Sequence, residues 1–485
     1  ILVGGPQTGY FSPQVLLELS LEGGGIAARG AAVPGTPYVV LGHAPSFAFT
    51  ATAGGSDLAD VRIERLCTPA GAAPNSGTLY RGDCRPILRR VDRWIAGAQT
   101  VTRTIERTVH GPVVGRATVS GVPVVVAVER SSFMQEVRSG GAFALVNTDA
   151  PNTPALFQAA MARSNSTLNW LFVNHTDTAY FHSGRYPVRA PGVDPDFPSW
   201  GTGEWEWQGF LPASQQPFDQ NPSRGFMTSW NNKPAPGWRA ADRNWSYGPL
   251  YRSQMLDVGL DRALAAGPVS VAGAVDAMAN AATVDFRGQE LLPWALKLTK
   301  GDRQTKTAVR LLAAWLASGA HRRDRDGDGA YDDEAAVALM DAWYPRMVHA
   351  AFDRTLGERK QSAALYASIP VRFDDAPGAV GSAYQEGYYG YLHRALRQAL
   401  GRKVRGRFTV LRCADGTRTG CGRALRKSLR AAVAELTTTF ASADPTQWHF
   451  DARAEDIEFT AGGALPPVRM PWQNRPTFQQ VVQIR

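Results

Sequence analysis

Short β-prone runs separated by glycine and proline fill the first 150 residues, and this alternation constrains the fold more than any other feature of the sequence. The runs are rich in β-branched residues or alternate apolar with polar positions, as strands of a layered antiparallel sheet do. They are Val15–Leu21, Tyr38–Leu41, Phe47–Thr50, Val61–Leu66, Val101–Val109 and Val124–Val128. Two further runs, Leu168–Val173 and Thr178–His182, predict a β-hairpin.

The second half of the chain changes to helical periodicity. Apolar residues recur at helix spacing through residues 250–350, in Tyr384–Leu400 and in Arg423–Phe440, and strand character returns at Ile457–Thr460. The pattern predicts an α+β or layered α/β fold. We divide the 485 residues into a β-rich core (1–250), a mainly helical region (251–445) and a return to the core sheet (446–485).

The net charge of +9 (52 Lys and Arg against 43 Asp and Glu) raises the question of a nucleic-acid partner. A basic cluster at Arg402, Lys403, Arg405 and Arg407 could face phosphates. No nucleic-acid-binding motif accompanies it, so we predict a solvated surface and no nucleic-acid partner. No apolar run approaches the length of a membrane span. No basic-then-apolar leader opens the chain, so any export signal has been removed or is not included.

The cysteines form two pairs that are close in sequence, Cys67 with Cys84 and Cys413 with Cys421. Neither pair has the spacing of a zinc ribbon, and no histidine lies within either pair. Local pairing in a chain rich in Gly and Pro predicts two disulfides, and therefore an oxidising compartment. Four free thiols in a cytosolic enzyme are the alternative.

The segment Gly225–Pro234 is an apolar, β-prone run that ends in the adjacent carboxamides Asn231 and Asn232 before Pro234. Neighbouring side chains at a strand end point to opposite faces, so one amide can project into a pocket. An amide N–H held there can donate to an oxygen that becomes negative during acyl transfer. The segment alone favours the alternative, a turn in which both asparagines bond to the local backbone.

Seven segments of the chain resemble the β-chain of penicillin acylases in order and spacing. They are Val3–Gly9, Leu41–His43, Thr50–Asp60, Thr108–Pro112, Gly201–Trp207, Ser229–Asn232 and Pro471–Arg475. The resemblance spans nearly the whole chain and implies an N-terminal-nucleophile hydrolase. The fold it implies is α+β, a four-layer αββα sandwich with a helical excursion.

The resemblance also implies a reaction and a partner. The catalytic serine of that family is the first residue of the β-chain, and its own α-amino group, with an unperturbed pKa near ~8, serves as the base. This serine is expected upstream of Ile1, which makes the chain a partial β-chain and its partner the α-chain of the same precursor. We expect an extracytoplasmic amidohydrolase acting on a small-molecule acyl amide, and no amidase activity from Ile1–Arg485 alone.

By the same resemblance, four residues match catalytic positions. Asn231 matches the amide of the oxyanion hole, and Ala53 matches the residue whose backbone N–H is the second donor. Gln7 matches a residue that lines the nucleophile. Arg252 matches an arginine that orders the nucleophile and the amide. Without the family context, a surface ion pair would be the better interpretation of Arg252.

The acyl-pocket positions implied by the resemblance are Thr8, Val40, Leu41, Ala51, Leu145 and Leu168. Thr8 stands where benzylpenicillin acylases carry a Phe, so we expect aliphatic walls with little aromatic stacking, and an aliphatic acyl group is as good a candidate as phenylacetyl. Two alternatives stay open: an acylase of acyl-homoserine lactones or other lipid-like amides, and a non-catalytic secreted binding protein on the same fold.

Structural calcium is the expected cofactor, and the resemblance implies one site for it. The family's ligand positions, which a carboxylate of the α-chain completes, correspond to Asp57, the Ala59 carbonyl, Asp60, the Pro195 carbonyl and Asp242. Oxygen ligands from distant segments suit Ca²⁺ and would hold the loops around the active site.

A second calcium signal is independent of the resemblance. Asp324, Asp326 and Asp328 alternate in a run with glycines, like the start of an EF-hand loop. The acid expected at the twelfth loop position is replaced by Ala335, with Glu334 one residue early. A solvated acidic turn is the alternative.

Overall fold

The structure of the chain is a computed structural model that describes residues 1–6, 8–241, 247, 250–300, 302–357, 366, 389–404, 411–463, 466, 468–474 and 478–485. The chain divides into two compact units. The first consists of Ile1–Gly5, Leu16–Gly248 and Val482–Arg485, and the second of Pro6–Val15 and Pro249–Val481. None of the described helices is both long and apolar enough to cross a membrane.

The elements are numbered along the chain. The strands are β1 (Leu2–Gly4), β2 (Phe11–Ser12), β3 (Leu17–Gly23), β4 (Ile26–Ala32), β5 (Leu41–His43), β6 (Phe47–Ala53), β7 (Ala59–Cys67), β8 (Gly77–Tyr80), β9 (Asp83–Pro86), β10 (Leu88–Ala96), β11 (Gln99–Arg107), β12 (Val113–Val119), β13 (Val122–Arg130), β14 (Leu168–Asn174), β15 (Thr178–Ser183), β16 (Ser199–Trp200), β17 (Phe218–Gln220), β18 (Ile457–Glu458), β19 (Thr460–Ala461), β20 (Arg469–Met470) and β21 (Gln480–Val482). The α-helices are α1 (Gly140–Val146), α2 (Pro154–Met161), α3 (Leu250–Ala265), α4 (Val271–Thr283), α5 (Leu292–Thr299), α6 (Lys306–Ala317), α7 (Glu334–Gly357), α8 (Tyr389–Ala399) and α9 (Arg418–Thr439).

A seven-stranded antiparallel sheet forms the centre of the first unit, in the order β17-β15-β14-β6-β5-β4-β3. Because side chains alternate between the faces of a strand, Phe47, Phe49 and Ala51 of β6 share one face. These three are buried in an apolar cluster with residues of α1 and α2, so the two helices cover that face. Thr50 and Thr52 point to the opposite face.

The second sheet of this unit runs β12-β13-β7-β8-β9, with β16 parallel to β7. The disulfide Cys67–Cys84 joins β7 to β9 with its Cα atoms 5.9 Å apart. In the second unit, Cys413–Cys421 ties the start of α9 to the preceding loop, with a Cα separation of 5.3 Å. Both predicted disulfides are confirmed, and both separations suit a disulfide.

The second unit is mainly helical, as its sequence predicts. Buried residues of α5, α6, α7 and α9 form one large apolar core. Charged side chains are also buried there: Asp285 receives hydrogen bonds from the Nε atoms of Arg287 (2.9 Å) and Arg322 (3.2 Å). Both guanidinium groups also bond to Asp341 at 2.6 Å, so two buried cations share two carboxylates.

Two local predictions are wrong. Of the predicted strand Tyr38–Leu41, only Leu41 is in a strand. Residues 38–40 are not, because the backbone N–H and C=O of Val39 bond to the side-chain amide of Asn147 (2.8 and 2.7 Å). The run 225–230 is also not a strand: the preceding strand ends at Gln220, and Asn221 and Gly225 turn the chain with φ of 46° and 79°.

The end of the chain also differs from the expected return to the core sheet. Residues 446–481 belong to the second unit, where β18 pairs with β20. Only Val482–Arg485 belong to the first unit. There, Val482 and Ile484 pack against a small apolar cluster that contains Leu2 and Val173.

The buried ion cluster makes a testable prediction for the stability of the second unit. Asp285→Asn should lower the free energy of unfolding by roughly 3–5 kcal/mol, because it leaves Arg287 and Arg322 buried beside one fewer negative charge. Urea unfolding followed by circular dichroism measures the change.

The matched control is Glu458→Gln, whose ion pair with Arg469 has side chains 49% and 65% exposed. Its effect should be within about 1 kcal/mol. Equal effects of the two substitutions would contradict the importance of the buried cluster.

Candidate functional site

On the side away from β14, no described strand pairs with the end of β6 at Ala53. The N–H of Gly54 donates to the Thr167 carbonyl (2.9 Å), so the next pair along the two strands, Ala53 and Leu168, is a non-hydrogen-bonded pair. In such a pair, both backbone groups point away from the partner strand. The N–H and C=O of Ala53 therefore point away from β14, towards the side where the pairing of β5 stops at Phe49.

The side chain of Asn231 lies on this edge. Its Nδ2 donates to the Ala53 carbonyl at 3.0 Å, and the residue adopts a positive φ of 60°. Asn232 makes the local bond instead, since its Oδ1 accepts from the backbone N–H of Trp230 (2.8 Å). The local-turn interpretation therefore describes Asn232, whereas Asn231 meets a strand 178 residues away.

Gly54 makes a close approach at this strand end. A Cβ atom on Gly54 would lie 2.6 Å from Oγ1 of Thr167 and 2.7 Å from Cε1 of His182. Both distances are too short for contacts of a carbon atom, so a larger residue here would require Thr167 and His182 to shift.

A polar network that sequence reasoning missed crosses three strands beside Ala53. The register places Thr52 opposite Asn169 and Asn169 opposite His182. Asn169 Nδ2 donates to Thr52 Oγ1 (3.3 Å), and its Oδ1 lies 2.7 Å from Nδ1 of His182. Thr52 Oγ1 also lies 2.8 Å from Oγ of Ser229, two residues before Asn231. One sequence signal could have revealed this network: Thr52, Asn169 and His182 are polar residues within otherwise largely apolar strands.

The histidine of this network is neutral. Burial lowers the pKa of His182 to about 3, and the residue is fully buried. Its Nε2 lies 2.8 Å from Oγ of Ser56, and the hydroxyl of Tyr180 donates to the same Asn169 oxygen at 2.6 Å. With Asn169 Oδ1 as the acceptor, Nδ1 carries the proton of the imidazole.

Five of the six predicted acyl-pocket residues come together. Leu41 and Ala51 are buried in the apolar cluster on the helix-covered face of the seven-stranded sheet. Val40, Leu145 and Leu168 pack against that cluster. The sixth, Thr8, is exposed and belongs to the second unit.

The same cluster also contains aromatic side chains, which the sequence analysis did not anticipate. The rings of Phe143 and Trp170 meet edge to face with centroids 6.1 Å apart. The aliphatic residues therefore line a mixed apolar cluster rather than a purely aliphatic one.

Arg252 lies in the second unit, where it bonds to Asn474, a residue of the family-like segment Pro471–Arg475. Its Nη2 donates to Oδ1 of Asn474 (3.2 Å), and Asn474 is fully buried with its backbone N–H on the Ala282 carbonyl (2.7 Å). Burial lowers the pKa of Arg252 to about 10, so the guanidinium is charged at neutral pH. Gln7 and Asp242, two other predicted site residues, lie outside the described residues.

The first predicted calcium site contains a guanidinium group. Nε of Arg189 donates to both carboxylate oxygens of Asp60 (2.9 and 3.0 Å), and its Nη2 bonds to Asp57 and to the Ala59 carbonyl, the latter at 3.4 Å. Three of the predicted ligands thus already converge on one cation. A Ca²⁺ ion on these same oxygens would have to displace Arg189, so the described contacts do not fit the ion.

Pro195, another predicted calcium ligand, lies between Asp194 and Asp196, whose carboxylates both contact Arg239. Nη1 of Arg239 lies 2.9 Å from Oδ1 of Asp194 and 3.0 Å from Oδ2 of Asp196. The backbone carbonyl of Arg239 accepts from the N–H of Asp57 (3.3 Å), which links this loop to the carboxylates around Arg189.

The second predicted calcium loop has a compact acidic arrangement. One carboxylate oxygen from each of Asp324, Asp326 and Asp328 lies within 4.8 Å of the others. The Asp324 carboxylate accepts from the backbone N–H groups of Gly327 (2.7 Å) and Gly329 (2.9 Å), as an acidic turn does without an ion. Calcium binding at this loop stays a prediction.

His110, from another of the family-like segments, bridges two glutamates. Its Nδ1 lies 3.0 Å from Glu64 and its Nε2 lies 3.0 Å from Glu206. Burial by itself lowers the pKa of His110, but the hydrogen bonds and charges of Glu206 and Glu64 outweigh it and raise the pKa to about 9. The imidazolium joins β7 to the loop around Glu206.

Comparisons with known proteins point to one family. A family model described as penicillin amidase matches residues 1–475. Penicillin G acylase of Escherichia coli is 28% identical over 400 residues, which cover 81% of this chain and 44% of that protein. Acyl-homoserine lactone acylase QuiP of Pseudomonas syringae pv. tomato is 22% identical over 343 residues, covering 70% of this chain and 37% of that protein. The chain spans less than half the length of these relatives.

A solved structure shows the fold. Thermostable penicillin G acylase from Alcaligenes faecalis matches with a TM-score of 0.78 at 22% identity, covering 98% of this chain and 83% of that chain. The predicted α+β fold, a four-layer αββα sandwich of the N-terminal-nucleophile hydrolase type, is confirmed by this match.

The bridging histidine makes the stability of the first unit depend on pH. The pKa of His110 is higher in the folded state (about 9) than the unperturbed 6.5, so its stabilising contribution is complete below about pH 6.5 and is lost as the pH rises towards 9. The stability difference between the wild type and His110→Gln should be about 3 kcal/mol larger at pH 6 than at pH 9.5. Urea unfolding of both proteins at the two pH values measures it.

His175→Gln serves as the control, because His175 is an exposed residue between β14 and β15. Its difference from the wild type should change little with pH. A His110→Gln difference that stays constant, or grows with pH, would show that the imidazolium is not the stabilising form.

Proposed function

The chain belongs to the penicillin amidase family, and from this membership we propose that the complete protein is an acylase that hydrolyses the amide bond of a small acyl amide. The one observation that carries the proposal is the bond of the Asn231 side-chain amide, from a distant segment, to the carbonyl of Ala53 at the end of β6. The side-chain amide of Asn231 lies against Ala53, whose own N–H points to the same edge.

The two donors suit the chemistry of acyl transfer. Attack on an amide carbonyl gives a tetrahedral intermediate whose oxygen carries a negative charge, and neutral N–H donors stabilise it without protonating the nucleophile's amine. A carboxamide has two N–H bonds, so Asn231 can keep one on the Ala53 carbonyl and offer the other. The proposed oxyanion hole is therefore Asn231 Nδ2 and the backbone N–H of Ala53.

The remaining parts of the reaction follow from the family resemblance. The proposed nucleophile is an N-terminal serine upstream of Ile1, which forms an acyl-enzyme that water then hydrolyses. Arg252, held by Asn474, and Gln7 are the proposed supporting residues. The proposed partner is the α-chain of the same precursor. The two disulfides support an extracytoplasmic location.

Removal of the proposed oxyanion donor tests the function directly. In the complete, matured protein, Asn231→Ala should lower kcat by roughly 10² to 10³, because the charge on the intermediate loses one of its donors. KM should change little. Steady-state hydrolysis of a chromogenic acyl amide measures both constants.

Asn280→Ala, a substitution of an exposed asparagine in α4, is the matched control and should leave kcat unchanged. Unchanged kcat in Asn231→Ala would place the oxyanion site elsewhere. Binding of acyl amides by the wild type without any hydrolysis would favour the non-catalytic binding protein instead.

A second candidate substrate is a lipid-like amide, such as an acyl-homoserine lactone. Two observations support it: the aliphatic residues Val40, Leu145 and Leu168 around buried Leu41 and Ala51, and the relatives named as acyl-homoserine lactone acylases. An apolar wall of this kind accepts a flexible acyl chain as well as a ring.

Acyl preference separates the two candidates. With one common amine leaving group, kcat/KM for a straight-chain acyl amide should exceed that for the phenylacetyl amide, and Leu145→Ala should change this ratio by about tenfold. Leu156→Ala in α2 is the control, because Leu156 is 50% exposed, and it should leave the ratio unchanged. A strong phenylacetyl preference in the wild type would reject the lipid-like candidate.

A further inference from the structure

Asn231 lies in a segment without regular secondary structure, yet its amide must be held still to act as a donor. Residues 221–232 contain no helix or strand, and Asn231 is half-buried. One tether is its own bond to the Ala53 carbonyl, at 3.0 Å. A second tether precedes it: Oγ of Ser229 lies 2.8 Å from Oγ1 of Thr52, the residue before Ala53.

The groups behind this second tether orient the Asn169 side-chain amide. Asn169 Oδ1 accepts from the Tyr180 hydroxyl and from Nδ1–H of the neutral His182, so its Nδ2 is turned towards Thr52. Thr52 Oγ1 accepts from that amide at 3.3 Å. Its own hydroxyl proton is therefore available to Ser229.

We propose that Thr52, oriented by Asn169, is a positioning residue that holds the Ser229–Asn231 segment so that the Asn231 amide faces the oxyanion. The inference rests on the proposed function and adds Thr52 and Asn169 as residues that act through Asn231. Thr52 and Ala53 are consecutive, so the same strand end supplies the backbone donor and the side chain that places the other donor. Burial of Asn169 keeps water from competing for these bonds.

Strand β6 offers a matched pair of threonines for the test. Thr52→Val removes the hydroxyl and keeps the shape, and it should lower kcat about tenfold with KM within about twofold of the wild type. Thr52→Ser restores the hydroxyl and should recover most of the kcat. Thr50→Val is the control, because Thr50 is buried on the same face of the same strand and its hydroxyl has no hydrogen-bond partner among the described residues. It should leave kcat unchanged.

A double-mutant cycle shows whether Thr52 acts through Asn231. In the Asn231→Ala background, Thr52→Val should have no further effect on kcat, because the side chain that it positions is gone. All variants are measured as the complete, matured protein, at a temperature below the unfolding transition of the least stable one.

The outcomes separate this inference from the proposed function. Independent, multiplicative losses in the cycle would overturn the positioning role, as would a Thr52→Val enzyme with wild-type kcat or a Thr52→Ser enzyme as slow as Thr52→Val. In each of these cases a slow Asn231→Ala enzyme leaves the proposed oxyanion hole standing. If Asn231→Ala itself retains full kcat, the proposed function fails and the positioning role fails with it.

Discussion

The register of β6 against β14, and of β14 against β15, is the constraint on which the candidate site depends. It sets Thr52 opposite Asn169 and Asn169 opposite His182. Because side chains alternate between faces, a slip by one residue would turn this polar row into the apolar cluster under α1 and α2. The same register makes Ala53 a non-hydrogen-bonded position, which frees its N–H and C=O for other partners.

The two faces of this sheet therefore have separate roles. The apolar face, covered by α1 and α2, gathers the side chains proposed to contact an acyl group. The polar face carries the network that leads to Ser229 and Asn231. The proposed donors lie at the end of β6, where the Asn231 amide meets the backbone of Ala53. In the proposed function, recognition of the acyl group and stabilisation of the oxyanion would therefore both depend on strand β6.

Buried charged groups link loops of the first unit to strand β7. His110 bridges Glu64 and Glu206, and Arg189 gathers the carboxylates of Asp57 and Asp60. Such buried pairs contribute little net stability compared with apolar packing, but breaking one is costly because the remaining charge is left without its partner. They consequently fix the positions of loops, and removing one partner destabilises the unit that contains it. The loop after Ala53, which carries Asp57, is held in this way on its far side.

The β-rich and helical parts, the two cysteine pairs and the order of the family-like segments can be read from the sequence, because these features depend on local composition and on spacing along the chain. The local pattern of the segment did not separate Asn231 from Asn232, which only the family resemblance did, and the sequence missed Thr52, Asn169 and His182 as neighbours. The meeting of Arg189 with Asp57 and Asp60, at positions where calcium is predicted, was also not foreseen. These contacts became visible only in the folded chain, because each depends on which backbone edge or charge arrives from a distant segment, and strand register cannot be read from a local pattern.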